Sequence, residues 1–365
     1  MDYVPSEITT LHKLTEKNPE CSMEGVVAVV PMMERDFHLD ATKWTFSEME
    51  RIGPEKVIVA LRCDEQRVGE IYEWLNEFQL DLKILWCNGD QMEKMLAKEG
   101  LNGKNGKGHD IWLALGLASE YGEFTICHDV DRKTYVGEDL HKLLFPLIEG
   151  NKFVKGYYAR IEEDRLYGRL CRLFYAPLIR SLKDIYNISI LKYLDAFRYG
   201  LSGEFAIRSQ DAKGIRIERG FGLEVGFLGE AFNFAGFEST AQVDLGLYEH
   251  FHRGISGPNG LAMMSLEVSD ALFGILQREG VKVKYDVARK AYESMAYKFI
   301  RQYELDAMFN GLAYDVKEEC AQVEGYIQAI RAPGEDIRMP SWEELDIGVK
   351  DIERASVEDM DLVVE

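Results

Sequence analysis

Short runs of β-branched and apolar residues punctuate the first third of the chain: 25–31 (GVVAVVP), 56–61 (KVIVAL), 82–87 (LKILWC) and 124–128 (FTICH). Each is continuous rather than alternating, which predicts strands buried on both faces. Between the second and third, Val68, Ile71, Tyr72 and Leu75 recur at helical spacing, and a helix-like stretch at 111–119 precedes the fourth. Strands alternating with helices imply parallel pairing and a three-layer α/β sandwich. Ligands in such sheets bind beyond the carboxyl ends of the strands. That rule directs attention to 31–36, 62–64 and 129–131.

The second half reads differently. Residues 152–158 (KFVKGYY) predict a strand, and 164–182 an amphipathic helix rich in basic residues. Strands at 204–207 and 241–247 flank a helix at 223–234. From 261 onward apolar residues fall every three or four positions, predicting helices at 261–278, 287–309 and 316–330. These patterns divide the chain into a polar leader (1–24), an α/β half (25–150), a second half (151–260), a helical region (261–335) and an acidic tail (336–365). No Gly/Ser or Pro linker separates the halves, so they are expected to share one core.

Composition then narrows the classes. The chain has 365 residues, with 63 Asp and Glu against 43 Lys and Arg, a net charge of −20. Such a surface repels phosphate backbones, so nucleic acid is not an expected partner. The acids crowded near the end, from Glu335 to Glu365, read as a solvated face. The 6 cysteines are scattered without a C-x-x-C, so neither a zinc site nor a disulfide framework is expected. No apolar run approaches the ~18 residues of a membrane span, and the start lacks a signal-peptide pattern. A cytoplasmic protein without membrane partners is expected.

Several stretches carry candidate chemistry. His128-Asp129-Val130-Asp131 ends an apolar run, where alternate carboxylates can offer hard oxygen ligands to Mg²⁺ or Mn²⁺; a loop-capping pair of aspartates is the alternative. The glycine-rich 102–108 stretch carries Lys107 just before a helix, where backbone and ammonium can approach a diphosphate, or it is a plain surface loop. His250 and His252 follow a strand end and could complete a metal site or be hydrogen-bonded structural residues. Glu204 and Glu224 sit in apolar surroundings, where an unpaired carboxylate is costly; either could meet a sugar hydroxyl or bond to backbone. Arg160, Arg165, Arg169, Arg172 and Arg180 could hold an anionic substrate through guanidinium forks, or form a solvated helix face.

Taken in order, VVAVVPMMERD, GKGHDIWLAL, HDVD, FVKGYYAR, GRLCRLFYAPLI, LSGEFAIR, GFGLEVGFLGEAF and AQVDLGLYEH resemble the glucosyl-3-phosphoglycerate synthases, retaining glycosyltransferases of the Rossmann-like GT-A fold. The resemblance spans about 26–340. It implies a nucleotide-sugar-binding first half, an acceptor-binding second half and transfer of a hexose from a donor such as UDP-glucose to 3-phosphoglycerate. It assigns Pro31, Met32 and Glu34 to the uracil and ribose, Lys107 to the diphosphate, Asp129 to the ribose and Asp131 with His250 to Mg²⁺ or Mn²⁺. Asp131, Lys107 and Glu224 would carry the catalysis, Glu224 beside the donor glucose. Gly168, Arg169 and Cys171 would form the acceptor site, with Cys171 where the family tends to have Thr and Tyr248 where a basic residue is common. It also implies a homodimer through the C-terminal helices. The rival readings are a mannosyl-transferring sibling, a sugar nucleotidyltransferase, for which PMMERD is neither Gly-rich nor basic, and a non-catalytic sugar-nucleotide sensor.

Overall fold

A computed structural model describes residues 6–103, 105–249 and 258–362. The strands are β1 (Thr9–Leu11), β2 (Val26–Met33), β3 (Lys56–Arg62), β4 (Leu82–Trp86), β5 (Phe124–Cys127), β6 (Phe153–Glu162), β7 (Arg165–Leu166), β8 (Phe205–Arg208) and β9 (Thr240–Tyr248). Helices of the first half are α1 (Asp40–Ile52), α2 (Glu65–Leu75), α3 (Asp90–Lys98), α4 (Lys107–Ala118) and α5 (Glu138–Ile148). They are followed by α6 (Ala176–Tyr186), α7 (Ser189–Ala196), α8 (Ser209–Lys213) and α9 (Leu223–Phe234). The last four are α10 (Pro258–Arg278), α11 (Tyr285–Phe309), α12 (Val316–Ile327) and α13 (Val349–Asp361).

One sheet runs through both halves, in the order β1-β9-β6-β8-β5-β2-β3-β4, with β7 paired to β6. β2, β3, β4 and β5 pair in parallel as their continuous apolar runs predict. β8 departs from that pattern: it lies antiparallel between β5 and β6 and joins the halves into one body. Two apolar layers cover the sheet. One gathers α4, α6, α9 and the late helices; the other gathers α1, α2 and α5.

Three sequence expectations need correction. The 1–24 leader is not merely polar, because Thr9–Leu11 adds a parallel strand to the β9 edge. The 164–182 segment is not one helix. Glu163 and Asp164 take positive φ of 46° and 57°, which closes a hairpin between β6 and β7, and helical structure starts only at Leu170 as a π-helical turn leading into α6.

The acidic 336–365 segment is not a solvated tail over its described residues. Trp342 stacks on Trp112 at 4.0 Å, and Trp112 Nε1 donates to the Pro340 carbonyl at 2.8 Å. α13 then lies against α3 and β4, where the Ser356 hydroxyl donates to the Ile84 carbonyl of the edge strand at 3.3 Å. Asp359, 1% exposed, accepts the Gln91 and Met92 amides at 2.8 and 3.0 Å. It thereby caps the N-terminus of α3 from far along the chain. Asp359→Ala is expected to cost about 1–2 kcal/mol, read as a lower melting temperature, where a solvated tail would show no change.

Candidate active site

A cleft of about 1330 Å³ opens beyond the carboxyl ends of β2, β3 and β5 and is walled by α4, the 158–171 hairpin region, α9 and α10. Its floor is fixed by close backbone approaches. A side chain at Gly108 would overlap the Glu218 carbonyl, so α4 begins against the 218–220 segment, and the His109 amide donates to the Arg219 carbonyl at 3.2 Å. A Cβ at Gly203 would stand 2.6 Å from Asp129 Oδ2, so only glycine leaves that carboxylate its place.

Lys107, the first residue of α4, occupies the centre. Its Nζ lies 2.7 Å from Asp129 Oδ1 and 3.2 Å from Glu224 Oε1. Burial alone would lower the ammonium's pKa, but Asp129 and Glu224 outweigh it and hold it above its ordinary value. Asp131 follows β5, is 4% exposed and lines the same cleft. Its loop is pinned by the next residue. The Arg132 guanidinium donates to the Leu245 and Leu247 carbonyls at 2.8 and 3.0 Å and pairs with Asp139. His128, stacked on Tyr135 at 4.8 Å, has its pKa pushed down to about 4 by burial, so it stays neutral and structural near pH 7.

Pro31 and Met32 line the cleft, as do Gly168, Arg169 and Cys171. Arg169 is held by α12: Nη1 lies 2.6 Å from Glu318 Oε1 and Nε 3.6 Å from Glu319 Oε1. Burial pushes the Cys171 thiol up to about 12, so it stands there as a neutral small side chain. Arg160 completes that wall, stacked 5.3 Å from the Tyr248 ring centre.

Other residues singled out in the sequence lie elsewhere. Glu34 does not line the cleft; its carboxylate accepts the Asp64 amide at 3.1 Å. Arg165, Arg172 and Arg180 pair with Glu318, Glu319 and Asp195, so the basic series divides into two cleft residues and three structural ones. His250 and His252 fall outside the described residues. Among the described residues, no group of three or more His, Cys, Asp or Glu closes on a metal position.

Two buried charges escaped sequence reasoning in the roles they take. Lys155, 1% exposed, is pushed down to about 8 by burial, against the pull of Glu224 and Glu204. A single lysine inside the apolar run FVKGYY was the available signal. Glu204, 2% exposed, has neither carboxylate oxygen hydrogen-bonded, and burial reinforced by Asp129 pushes it up to about 7. The bond to backbone that the sequence offered as one role for it is not made. With its folded pKa above the unfolded one, the unfolded chain loses this proton first as pH rises. The stabilisation is therefore full below about pH 4 and is lost by about pH 7. Glu204→Gln removes that loss. It is expected to stabilise the ligand-free protein by on the order of 1–3 kcal/mol above neutrality and by nearly nothing in acid, as thermal melts at both pH values would show.

The cleft therefore combines an ammonium braced by two carboxylates, a buried aspartate at a strand end and a guanidinium-lined wall. No family model matches the chain. Curated relatives do. A glucosyl-3-phosphoglycerate synthase of Methanococcoides burtonii is 31% identical over 383 residues, covering 94% of this chain and 93% of the relative. One of Persephonella marina is 32% identical over 325 residues, covering 84% of this chain and 80% of the relative. Among solved structures, the Mycobacterium tuberculosis glucosyl-3-phosphoglycerate synthase with Mn²⁺, UDP and phosphoglyceric acid aligns with a TM-score of 0.55 at 20% identity, over 76% of this chain and 88% of that one. The Rubrobacter xylanophilus mannosyl-3-phosphoglycerate synthase aligns with a TM-score of 0.55 at 22% identity, over 72% of this chain and 77% of that one. The solved structures share the fold, of GT-A type, and the nearly full-length match to curated relatives fixes the family: the chain belongs to the glucosyl-3-phosphoglycerate synthases, a family of glycosyltransferase enzymes.

Proposed function

We propose that the chain transfers glucose from UDP-glucose to 3-phosphoglycerate, with retention at the anomeric carbon and with a divalent cation. The observation that carries this reading is Lys107, gripped by Asp129 and Glu224 and facing the Arg160–Arg169 wall of the same cleft. The relatives' names support the reaction, and a Mycobacterium tuberculosis neighbour solved with Mn²⁺, UDP-glucose and phosphoglyceric acid supports the pair of substrates.

The acidic groups around the β5 end fit a hard divalent cation. Asp131 lines the cleft at the end of β5 beside Asp129, two hard carboxylates on one short loop. Asp131 would hold the ion, with His250 as the expected second ligand. When bound, Mg²⁺ or Mn²⁺ supplies Lewis-acid stabilisation of the leaving diphosphate.

The chain's own groups do the rest. Lys107 exchanges its carboxylate partners for diphosphate oxygens and neutralises charge that grows as the sugar–phosphate bond breaks. Asp129, so released, accepts a ribose hydroxyl, and Glu224 accepts a hydroxyl of the glucose. Arg169 grips the acceptor's anionic groups and aims its free hydroxyl at the anomeric carbon. The bond from that carbon to the diphosphate oxygen breaks, the bond to the acceptor oxygen forms on the same face, and the acceptor proton passes to the departing phosphate. No protein nucleophile is required.

The test is a matrix of UDP-, GDP- and CDP-hexoses against glycerate, 2-phosphoglycerate and 3-phosphoglycerate, with and without chelator, read by mass spectrometry. Hexosyl-phosphoglycerate that disappears with chelation is the expected product. Transfer only to non-phosphorylated acceptors, or transfer indifferent to chelation, would overturn the reading.

A further inference from the structure

The guanidinium assigned to the acceptor already carries a carboxylate. Arg169 lines the cleft between β7 and the π-helical turn, and its Nη1 lies 2.6 Å from Glu318 Oε1 of α12. Its Nε lies 3.6 Å from Oε1 of the next residue, Glu319. Two adjacent acids thus meet one arginine, and they are themselves held very differently.

Glu319 is fixed. Its side chain is 6% exposed, Arg172 grips both of its oxygens at 2.7 and 2.9 Å, and the Tyr314 hydroxyl donates to it at 3.2 Å. It cannot turn away without leaving the buried Arg172 charge unpaired, so it is a permanent neighbour of Arg169. Glu318 is 43% exposed, and its other oxygen has a second cation in reach, Arg165 Nη2 at 3.5 Å. It stands in the first turn of α12, capped by Asp315, where the unpaired amides of a helix favour negative charge. A Glu318 carboxylate released from Arg169 therefore keeps Arg165, water and the helix end, and the exchange costs little. The spacing of the three groups is held by backbone. Arg165 bridges Ala313, whose amide donates to the Asp164 carbonyl at 2.8 Å, which ties the hairpin to the segment leading into α12.

We infer that Glu318 is an internal competitor for the acceptor: it occupies the Nη1 end of Arg169 that an acceptor carboxylate or phosphate must take, passes to Arg165 as the acceptor enters, and so sets the acceptor's affinity. The inference rests on the acceptor role given to Arg169 under the proposed function and adds to it a residue that raises the acceptor KM. A mere brace would act in the opposite sense, because its removal would loosen Arg169 and weaken the acceptor. The sign of the change separates the two.

The experiment measures transfer from UDP-glucose to 3-phosphoglycerate in Mg²⁺ by the full chain, for wild type, Glu318→Gln and Glu318→Ala, each checked by thermal melting. Both variants are expected to lower the acceptor KM by roughly three- to fivefold, with kcat and the UDP-glucose KM within about twofold of wild type. Glu318→Ala decides the matter if Glu318→Gln does not fold. Glu335→Gln, which removes another exposed carboxylate lining the cleft, controls for the general field and should leave the acceptor KM unchanged. An acceptor KM that stays or rises in the Glu318 variants, a donor KM that falls equally, or the same gain in Glu335→Gln overturns the inference alone. A wild type that transfers to no phosphoglycerate removes the reading of function and this inference with it.

Discussion

If the proposed mechanism holds, Asp131→Asn is expected to lower hexosyl transfer by about 10²–10³-fold or more, because it removes the charged oxygen proposed to hold the divalent cation beside the leaving diphosphate. The substitution preserves size, and the loop around it is secured independently by Arg132, which bonds Leu245, Leu247 and Asp139. The fold should therefore survive, with a melting temperature close to wild type in chelator. Turnover at saturating Mn²⁺ and Mn²⁺ affinity are the paired measurements. Wild-type turnover in the variant under strict metal control would strip Asp131 of the role.

Lys107→Met should cost a comparable factor, about 10²–10³ in kcat/KM. Its ammonium bridges Asp129 and Glu224, so its loss acts twice. The diphosphate loses its counter-charge, and two carboxylates that shared one cation are left to repel the incoming anion. The first effect lowers kcat and the second raises the donor KM, so both parameters should move. Lys107→Arg restores charge but not the point-like reach of an ammonium, and partial recovery is expected. A variant altered in KM alone would show that Lys107 only binds the donor and does not assist its cleavage.

The parallel strands β2 to β5 and the helices α2, α4 and α9 to α12 were legible because their signals are local. GVVAVVP, KVIVAL and FTICH are continuous apolar runs, and the 223–234 pattern names α9 to the residue. Failures came where distant contacts decide. The helical period across 164–182 ignores that Glu163 and Asp164 adopt left-handed backbone, a choice made by the hairpin with β6 and invisible to periodicity. In the last segment, acidic residues mask an apolar stripe of Val349, Ile352, Ala355 and Met360 that buries against α3 and β4.

The site divides along the same line. Lys107, Asp129, Asp131 and Arg169 stand at strand ends, helix starts or in motifs, so spacing and resemblance could place them in one cleft. The relation of Lys107 to Glu224, 117 positions apart, needed the sheet to be folded. Lys155 and Glu204 are single charges inside or immediately before apolar strands. Nothing local tells whether such a charge is paired, orphaned or aimed at a ligand.

Strand β1 lies at one rim of the sheet, and α13, through Ser356 on the Ile84 carbonyl, shields the other. A ribosome making this chain must therefore reach α13, some 270 positions after β4, before the β4 rim is guarded, and unguarded rims invite strands from neighbouring molecules. Truncated translation products lacking α13 should clump even though every cleft residue is already present.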